Sequence, residues 1–233
     1  MQIELQNFFK YYNEKNAKHI AAIDDLERLL LEKAPDLLQD NSNWVRIYRS
    51  PNTPETPSGI LLNVPFFPQT DNYRDANRTC NSSACAMCLE YFKPGTLKGP
   101  KGDDEYLRKV FSIGDTIDHG VQTRVLQSYG IQSSFSYNLS FDDLDRELSN
   151  RRPVVIGILH RGSLSAPTGG HMVCIIGKTP SGDYIVNDPF GDLMTGYTTP
   201  VIEGKGAVYP VEVLRKRWTV EGNKSGWGRI FKP

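Results

Sequence analysis

Three side chains in this sequence have the types and settings needed to break an amide bond together. A cysteine hydrolase needs a thiolate. A thiol reaches that state at neutral pH when it sits at a helix N-terminus near an imidazole, because the helix dipole and the imidazolium both favour negative sulfur. Cys80 has that setting, since Arg78-Thr79-Cys80-Asn81-Ser82-Ser83-Ala84 runs from polar residues directly into an apolar-faced helical pattern. Cys85 and Cys88 lie deeper in the same helix and read as small core hydrophobes. His171 follows Gly169-Gly170, where the backbone can come close to a ligand, and opens the apolar run Met172 to Ile176. The other histidines have plainer contexts: His19 belongs to a helical stretch, and His119 and His160 fall in loop-like settings as surface or capping residues.

The third side chain comes from strand parity. His171 to Gly177 and Asp183 to Asp188 read as two strands joined by Thr179-Pro180-Ser181-Gly182, a hairpin signal. If Gly177 pairs with Tyr184, then Asp188 faces Val173 and shares a sheet face with His171 as a diagonal neighbour. Asn187 points the other way unless a bulge intervenes. Aspartate before Pro189 also suits a plain turn, so the parity argument and the turn reading both stand at this point.

The elements that must position these residues follow from periodicity. A helix is expected from Asn81 to Phe92, with shorter ones at Asp103 to Phe111 and Val121 to Tyr129. Phe135 and Tyr137 alternate with serines as in a half-buried strand, and Ser140 with Asp143 forms a capping-box start to a helix through Leu148. Val154 to Leu159 is a continuous apolar run that suits a central strand, and a last helix at Val211 to Trp218 precedes a glycine-rich end. Upstream, residues 3 to 33 carry an apolar stripe at helical spacing, a short strand is expected at Trp44 to Tyr48, and prolines at 51, 54 and 57 mark a linker. Helices first and antiparallel strands after make an α+β pattern. The expected division is an N-terminal helical extension over 1–50, a linker over 51–59 and one main domain over 60–233.

Composition narrows the function classes. With 27 Lys+Arg against 27 Asp+Glu in 233 residues, net charge is zero and offers no general steering toward nucleic acid. No window approaches the roughly 18 apolar residues of a membrane helix, and the start shows no secretory signal, so a cytoplasmic protein is expected. Three of four cysteines fall within nine residues, a poor disulfide framework. Cys85 and Cys88 form a C-x-x-C inside a helix with no second pair, which disfavours zinc; no metal or cofactor is implied. From Val213 onward, Arg215, Lys216, Arg217, Lys224, Arg229 and Lys232 face only Glu221 and read as a solvated helix face and tail.

Four blocks in order carry a family resemblance: Val64-Pro65-Phe66-Phe67-Pro68-Gln69-Thr70-Asp71-Asn72, Cys80 through Met87, Gly170-His171-Met172-Val173, and Asn187-Asp188-Pro189-Phe190-Gly191. Over about residues 60 to 195 the chain resembles the bacteriocin-processing-peptidase-like (peptidase family C39-like) cysteine peptidases of papain-like fold. The resemblance implies Cys80 as nucleophile, His171 as general base, Asp188 as the third member and Gln69 as an oxyanion-hole donor. The stretch from Arg217-Trp218 to Gly226-Trp227-Gly228 is similar to the tails of phage-encoded wall-lysing members. The sequence departs from the family pattern at Asn81, Ser82, Ala84 and Cys85, where glycine, proline, serine and leucine are usual. The implied function is a cysteine peptidase acting on a peptide or on peptidoglycan. A transglutaminase-like thiol acyltransferase and a non-catalytic peptide- or cell-wall-binding domain are the competing readings.

Overall fold

The computed structural model describes residues 59–232. The expected helical stripe over 3–33, with His19, the strand at Trp44 to Tyr48 and the proline-marked linker up to residue 58 lie outside the described residues. Within them, nine strands and five helices are laid down as β1 (Ile60–Leu61), α1 (Cys80–Phe92), α2 (Asp103–Ile113), α3 (His119–Ser128), β2 (Gln132–Leu139), α4 (Phe141–Ser149), β3 (Val154–Ile158), β4 (Arg161–Ser163), β5 (Ala166–Thr168), β6 (His171–Lys178), β7 (Tyr184–Asn187), β8 (Lys205–Tyr209), α5 (Val211–Arg217) and β9 (Gly226–Lys232). The expected α+β architecture is observed.

Seven strands form one antiparallel sheet in the order β2-β9-β3-β6-β7-β8, with β1 paired to the end of β6, while β4 and β5 make a separate hairpin. All of β3 and nearly all of β6 are buried, which explains why both read as continuous apolar runs rather than alternating ones. Both α1 and α4 pack on these two strands.

The capping box is formed as expected, with Ser140 Oγ accepting from Asp143 N and Asp143 Oδ2 accepting from Ser140 N. The helix α1 is buried almost all round, from Asn81 through Leu89. Its first-turn polar residues are tied to neighbouring helices. Ser82 Oγ bonds Thr116 Oγ1 at 2.7 Å and accepts from Gln122 Nε2 at 2.9 Å; Ser83 Oγ donates to Asp103 Oδ2 at 2.6 Å. The departures at Asn81 and Ser82 are thus satisfied buried polar groups, with Asn81 Nδ2 on the Thr116 carbonyl.

The C-terminal segment differs from expectation. The residues read as a glycine-rich solvated tail form β9, inserted between β2 and β3. Gly226 and Gly228 are there for space: a Cβ at Gly226 would press into the Trp218 ring, and one at Gly228 into the Val155 carbonyl. Arg229 is fully buried, donating to Thr123 Oγ1 and Ser133 Oγ at 2.8 Å each and to the His119 carbonyl at 2.6 Å. Arg217 is also buried, while Arg215, Lys216, Lys224 and Lys232 are exposed, as a solvated face requires. Two of the six cations were therefore misread, because a guanidinium with several carbonyl and hydroxyl acceptors can be buried while a count of charges along the chain shows none of those acceptors.

Candidate active site

The loop over 62–79 delivers Cys80. Its 3-10 turn Gln69–Asp71 is pinned from both ends: Gln69 N donates to the Pro189 carbonyl at 2.8 Å, and Gln69 Nε2 donates to the Ala76 carbonyl at 2.7 Å. Asn72 Nδ2 then reaches Thr79 Oγ1 and Ser83 Oγ at 2.8 and 3.0 Å, fixing the entry into α1. Cys80 opens that helix as a half-buried free thiol, and its backbone N–H belongs to the first turn, which has no intrahelical acceptor.

His171 begins β6 opposite Ile158 of β3 and is 5% exposed. Its Nε2 meets Asp188 Oδ1 at 2.6 Å, so Nδ1 is the ring nitrogen left to act on the sulfur of Cys80. Burial opposes ionisation of the thiol, but the hydrogen bond and charge of His171, with the N–H groups of Met172 and Asn81, bring its pKa below the usual thiol value. Burial likewise opposes an imidazolium, yet Asp188 and Cys80 together push His171 up to about 10. These opposite shifts favour passage of the thiol proton to the imidazole. In contrast, burial pushes Cys85 up to about 11 and Cys88 well above its usual value. Cys88 Sγ lies 3.4 Å from Cys174 Sγ in the core. Among the described residues no group of three or more His, Cys, Asp or Glu is placed to hold a metal ion.

The hairpin register at the turn is offset by one residue from expectation: Lys178 pairs with Tyr184 and Gly177 with Ile185. A bulge between Ile175 and Gly177 then restores the parity, so that Ile175 pairs with Val186 and Cys174 with Asn187. Asp188 therefore lies on the face of His171. Asn187 points to the opposite side, its amide donating to the Val64 and Pro65 carbonyls at 3.2 and 3.3 Å and its Oδ1 accepting from Gly206 N at 3.0 Å.

Gln69 is 2% exposed, and its Oε1 has no partner among the described residues. One amide hydrogen goes to Ala76, and the second has no partner among the described residues. The structure thus ties Gln69 to the loops that carry Ala76 and Pro189.

Several neighbours carry no sequence signal. His160, expected at the surface, is half-buried with its ring centroid 5.1 Å from that of His171. Burial and the nearby charges of His171 and Arg161 hold it down to about 4, so it stays neutral. It is brought there by the β4–β5 hairpin, whose base Arg217 clamps: Nη1 donates to the Leu159 and Arg161 carbonyls at 2.6 and 3.0 Å, and Nη2 to the Gly162 carbonyl at 3.0 Å. Phe190 and Tyr197 complete an aromatic wall, with centroids 6.1 and 6.2 Å from His171. Tyr197 and Tyr209 both contact Asp188. Only their distant partners reveal these residues, because each reaches the site from a different stretch of chain.

Comparison with known proteins identifies a family and a fold. Residues 61–224 match the model of the Peptidase_C39-like family. No curated protein sequence matches the chain. Solved structures of similar fold include a protein described as a C39-like peptidase from Bacillus anthracis, at 14% identity and TM-score 0.53 over 76% of this chain and 98% of that one. A double glycine motif protease from an AMS/PCAT transporter, solved with its leader peptide, gives 17% identity and TM-score 0.46 over 74% and 94%. UfSP from C. elegans gives 17% and 0.45 over 78% and 35%. At these identities the likeness is one of fold.

Proposed function

Because the chain belongs to the Peptidase_C39-like family and is thereby a cysteine peptidase, we propose that it cleaves amide bonds through Cys80, His171 and Asp188, with Gln69 assisting. The observation that carries this reading is the buried Asp188–His171 hydrogen bond, with His171 lowering the pKa of the Cys80 thiol while Asp188 and Cys80 raise that of His171. The Cys80 thiolate attacks the scissile carbonyl carbon. Negative charge gathers on the carbonyl oxygen, and the Cys80 backbone N–H and the remaining Gln69 amide hydrogen donate to it. The His171 Nδ1 proton passes to the leaving amine, giving an acyl-enzyme thioester; His171 then takes a proton from water, whose hydroxide releases the acid. Asp188 holds the imidazole in the tautomer that presents Nδ1 and stabilises its charged form.

The proposed substrates are peptides, with the stem or cross-link peptides of peptidoglycan as one class. That choice is motivated by the likeness of the region from Arg217 to Gly228 to phage-encoded wall-lysing tails. Residues 1–50 are proposed as an extension separate from the peptidase domain, with 51–59 as linker, since Gln69, Cys80, His171 and Asp188 all lie after the proline-marked stretch. The test is incubation with purified peptidoglycan and with casein, followed by mass spectrometry of released fragments, with and without an added amine. Wild type should release fragments bearing new free carboxyls, and Cys80→Ala none. Transfer of the added amine onto most fragments would instead identify an acyltransferase, and wild-type turnover in Cys80→Ala would sink the assignment.

A further inference from the structure

Asp188 is held by more than His171. Its Oδ1 accepts from His171 Nε2 at 2.6 Å and from Phe190 N at 2.9 Å, and its Oδ2 accepts from the hydroxyls of Tyr209 at 2.7 Å and Tyr197 at 3.2 Å. The two phenols come from separate places, Tyr209 from the end of β8 and Tyr197 from the segment after the 3-10 turn Leu193–Thr195. The Tyr209 oxygen accepts the Leu193 N–H at 3.0 Å, so its own proton is directed at Asp188. Tyr197 sits at φ 61°, a left-handed conformation uncommon for a residue with a side chain, and its N–H is fixed on the Asp192 carbonyl at 3.0 Å. Residues kept in such conformations cluster at functional sites, and this one delivers a hydroxyl to the carboxylate that orients the imidazole.

We propose that Tyr209 and Tyr197 are positioning residues for the peptidase reaction, fixing the plane of the Asp188 carboxylate and withdrawing part of its charge so that His171 remains a competent acid. The inference rests on the reading of Cys80, His171 and Asp188 given above. A bare carboxylate against an imidazole in a dry site holds the imidazolium too tightly, and a general acid loses efficiency as its pKa rises above the working pH. Two O–H dipoles on Oδ2 oppose that. Burial and the Asp188 charge push both phenols far above their usual range, so they remain donors throughout the working pH range. Tyr209 is fully buried and serves as the permanent anchor. Tyr197 is half-buried, with its ring 5.1 Å from Phe190 and 6.2 Å from His171. The ionisable groups facing His171 are Cys80, Asp188, His160 and Tyr197, with Arg161 and Arg217 beyond them.

The test uses the full chain with Tyr209→Phe and Tyr197→Phe, each titrated by NMR with histidines ring-labelled, and each assayed across pH on a fluorogenic peptide built on the bond that wild type cleaves. Loss of a donor should move the His171 midpoint up by about 0.5 pH unit or more, because the carboxylate becomes a stronger base. It should lower kcat about 3- to 30-fold with KM within about twofold. A purely structural role would lower the melting temperature while leaving the midpoint and the pH profile of the folded enzyme in place, and that result in both variants would overturn the proposal. If Tyr209→Phe fails to fold, the less buried Tyr197→Phe decides. Full activity in Cys80→Ala would refute the triad itself, whereas an inactive Cys80→Ala beside wild-type behaviour in both tyrosine variants refutes only the present inference.

Discussion

At the scale of single residues, the environment separates four chemically identical thiols. Cys80 lies at a helix start with its pKa lowered by His171, and the other three are fully buried in the core. Iodoacetamide near pH 6 should therefore label Cys80 well ahead of Cys85, Cys88 and Cys174, and His171→Ala should abolish the preference; peptide mapping reads the outcome, and equal labelling of all four would contradict the site. Two adjacent residues separate just as sharply. Asp188→Ala should lower the turnover of the folded protein by about one to four orders of magnitude. Asn187→Ala should act mainly on stability, by about 1–3 kcal/mol, because it frees the Val64 and Pro65 carbonyls and the Gly206 N–H in a buried place. Kinetics and thermal melts on both variants check the pair, and a severe kinetic loss confined to Asn187→Ala would reverse the assignment.

At the scale of elements, β9 is the strand on which the sheet depends, since it joins β2 to β3. Arg229→Ala should cost about 3 kcal/mol or more, because it opens a cavity and strands the acceptors Thr123, Ser133 and His119. Gly157→Ala should destabilise through overpacking by about 1–3 kcal/mol, since its Cβ would meet the Trp227 indole laid across β3. Denaturant melts measure both, and wild-type midpoints would show that β9 is dispensable. The bulge in β6 is the other decisive element. Without it, the offset at the turn would carry through the hairpin and put Asn187, not Asp188, on the face of His171.

For the whole molecule, the pH dependence of stability follows from a buried acid far from the sulfur in sequence. Burial first, with the charges of Asp71 and Asp104, raises Asp103 from 3.8 to about 6, although Ser83 donates to it. An acid whose pKa is higher folded than unfolded binds more protons in the native state, so its contribution falls as pH climbs from about 4 through 6. Asp103→Asn, which mimics the protonated form, should gain up to about 3 kcal/mol at pH 7 relative to wild type and little at pH 4. Melts at the two pH values test this, and equal gains at both would show that Asp103 does not titrate in this range. Removal of residues 1–50 should leave Cys80 alkylation and peptide hydrolysis in place, as expected if the extension is separate; a soluble but inactive truncation would give it a part in substrate binding.

What the sequence determined by itself was local or periodic. The polar-to-apolar switch at Cys80 marked the helix start, the Ser140–Asp143 spacing marked a cap, and the apolar runs marked β3 and β6; each signal is written in neighbouring residues and survives any tertiary arrangement. The family blocks supplied His171 and Gln69 in the same way. Strand parity put Asp188 in reach of His171, but it reached that answer through a turn offset that the bulge at β6 cancels. Only the tertiary structure decided what comes from distant stretches. It brought Tyr197 and Tyr209 to Asp188, turned His160 toward His171, buried Arg217 and Arg229 among carbonyls and hydroxyls, and slid a glycine-rich terminus into the middle of the sheet. The physical reason is common to all of these. Whether a tyrosine, histidine or arginine is solvated or buried depends on partners supplied by chain as much as about 110 residues away, and no pattern in its own neighbourhood records them.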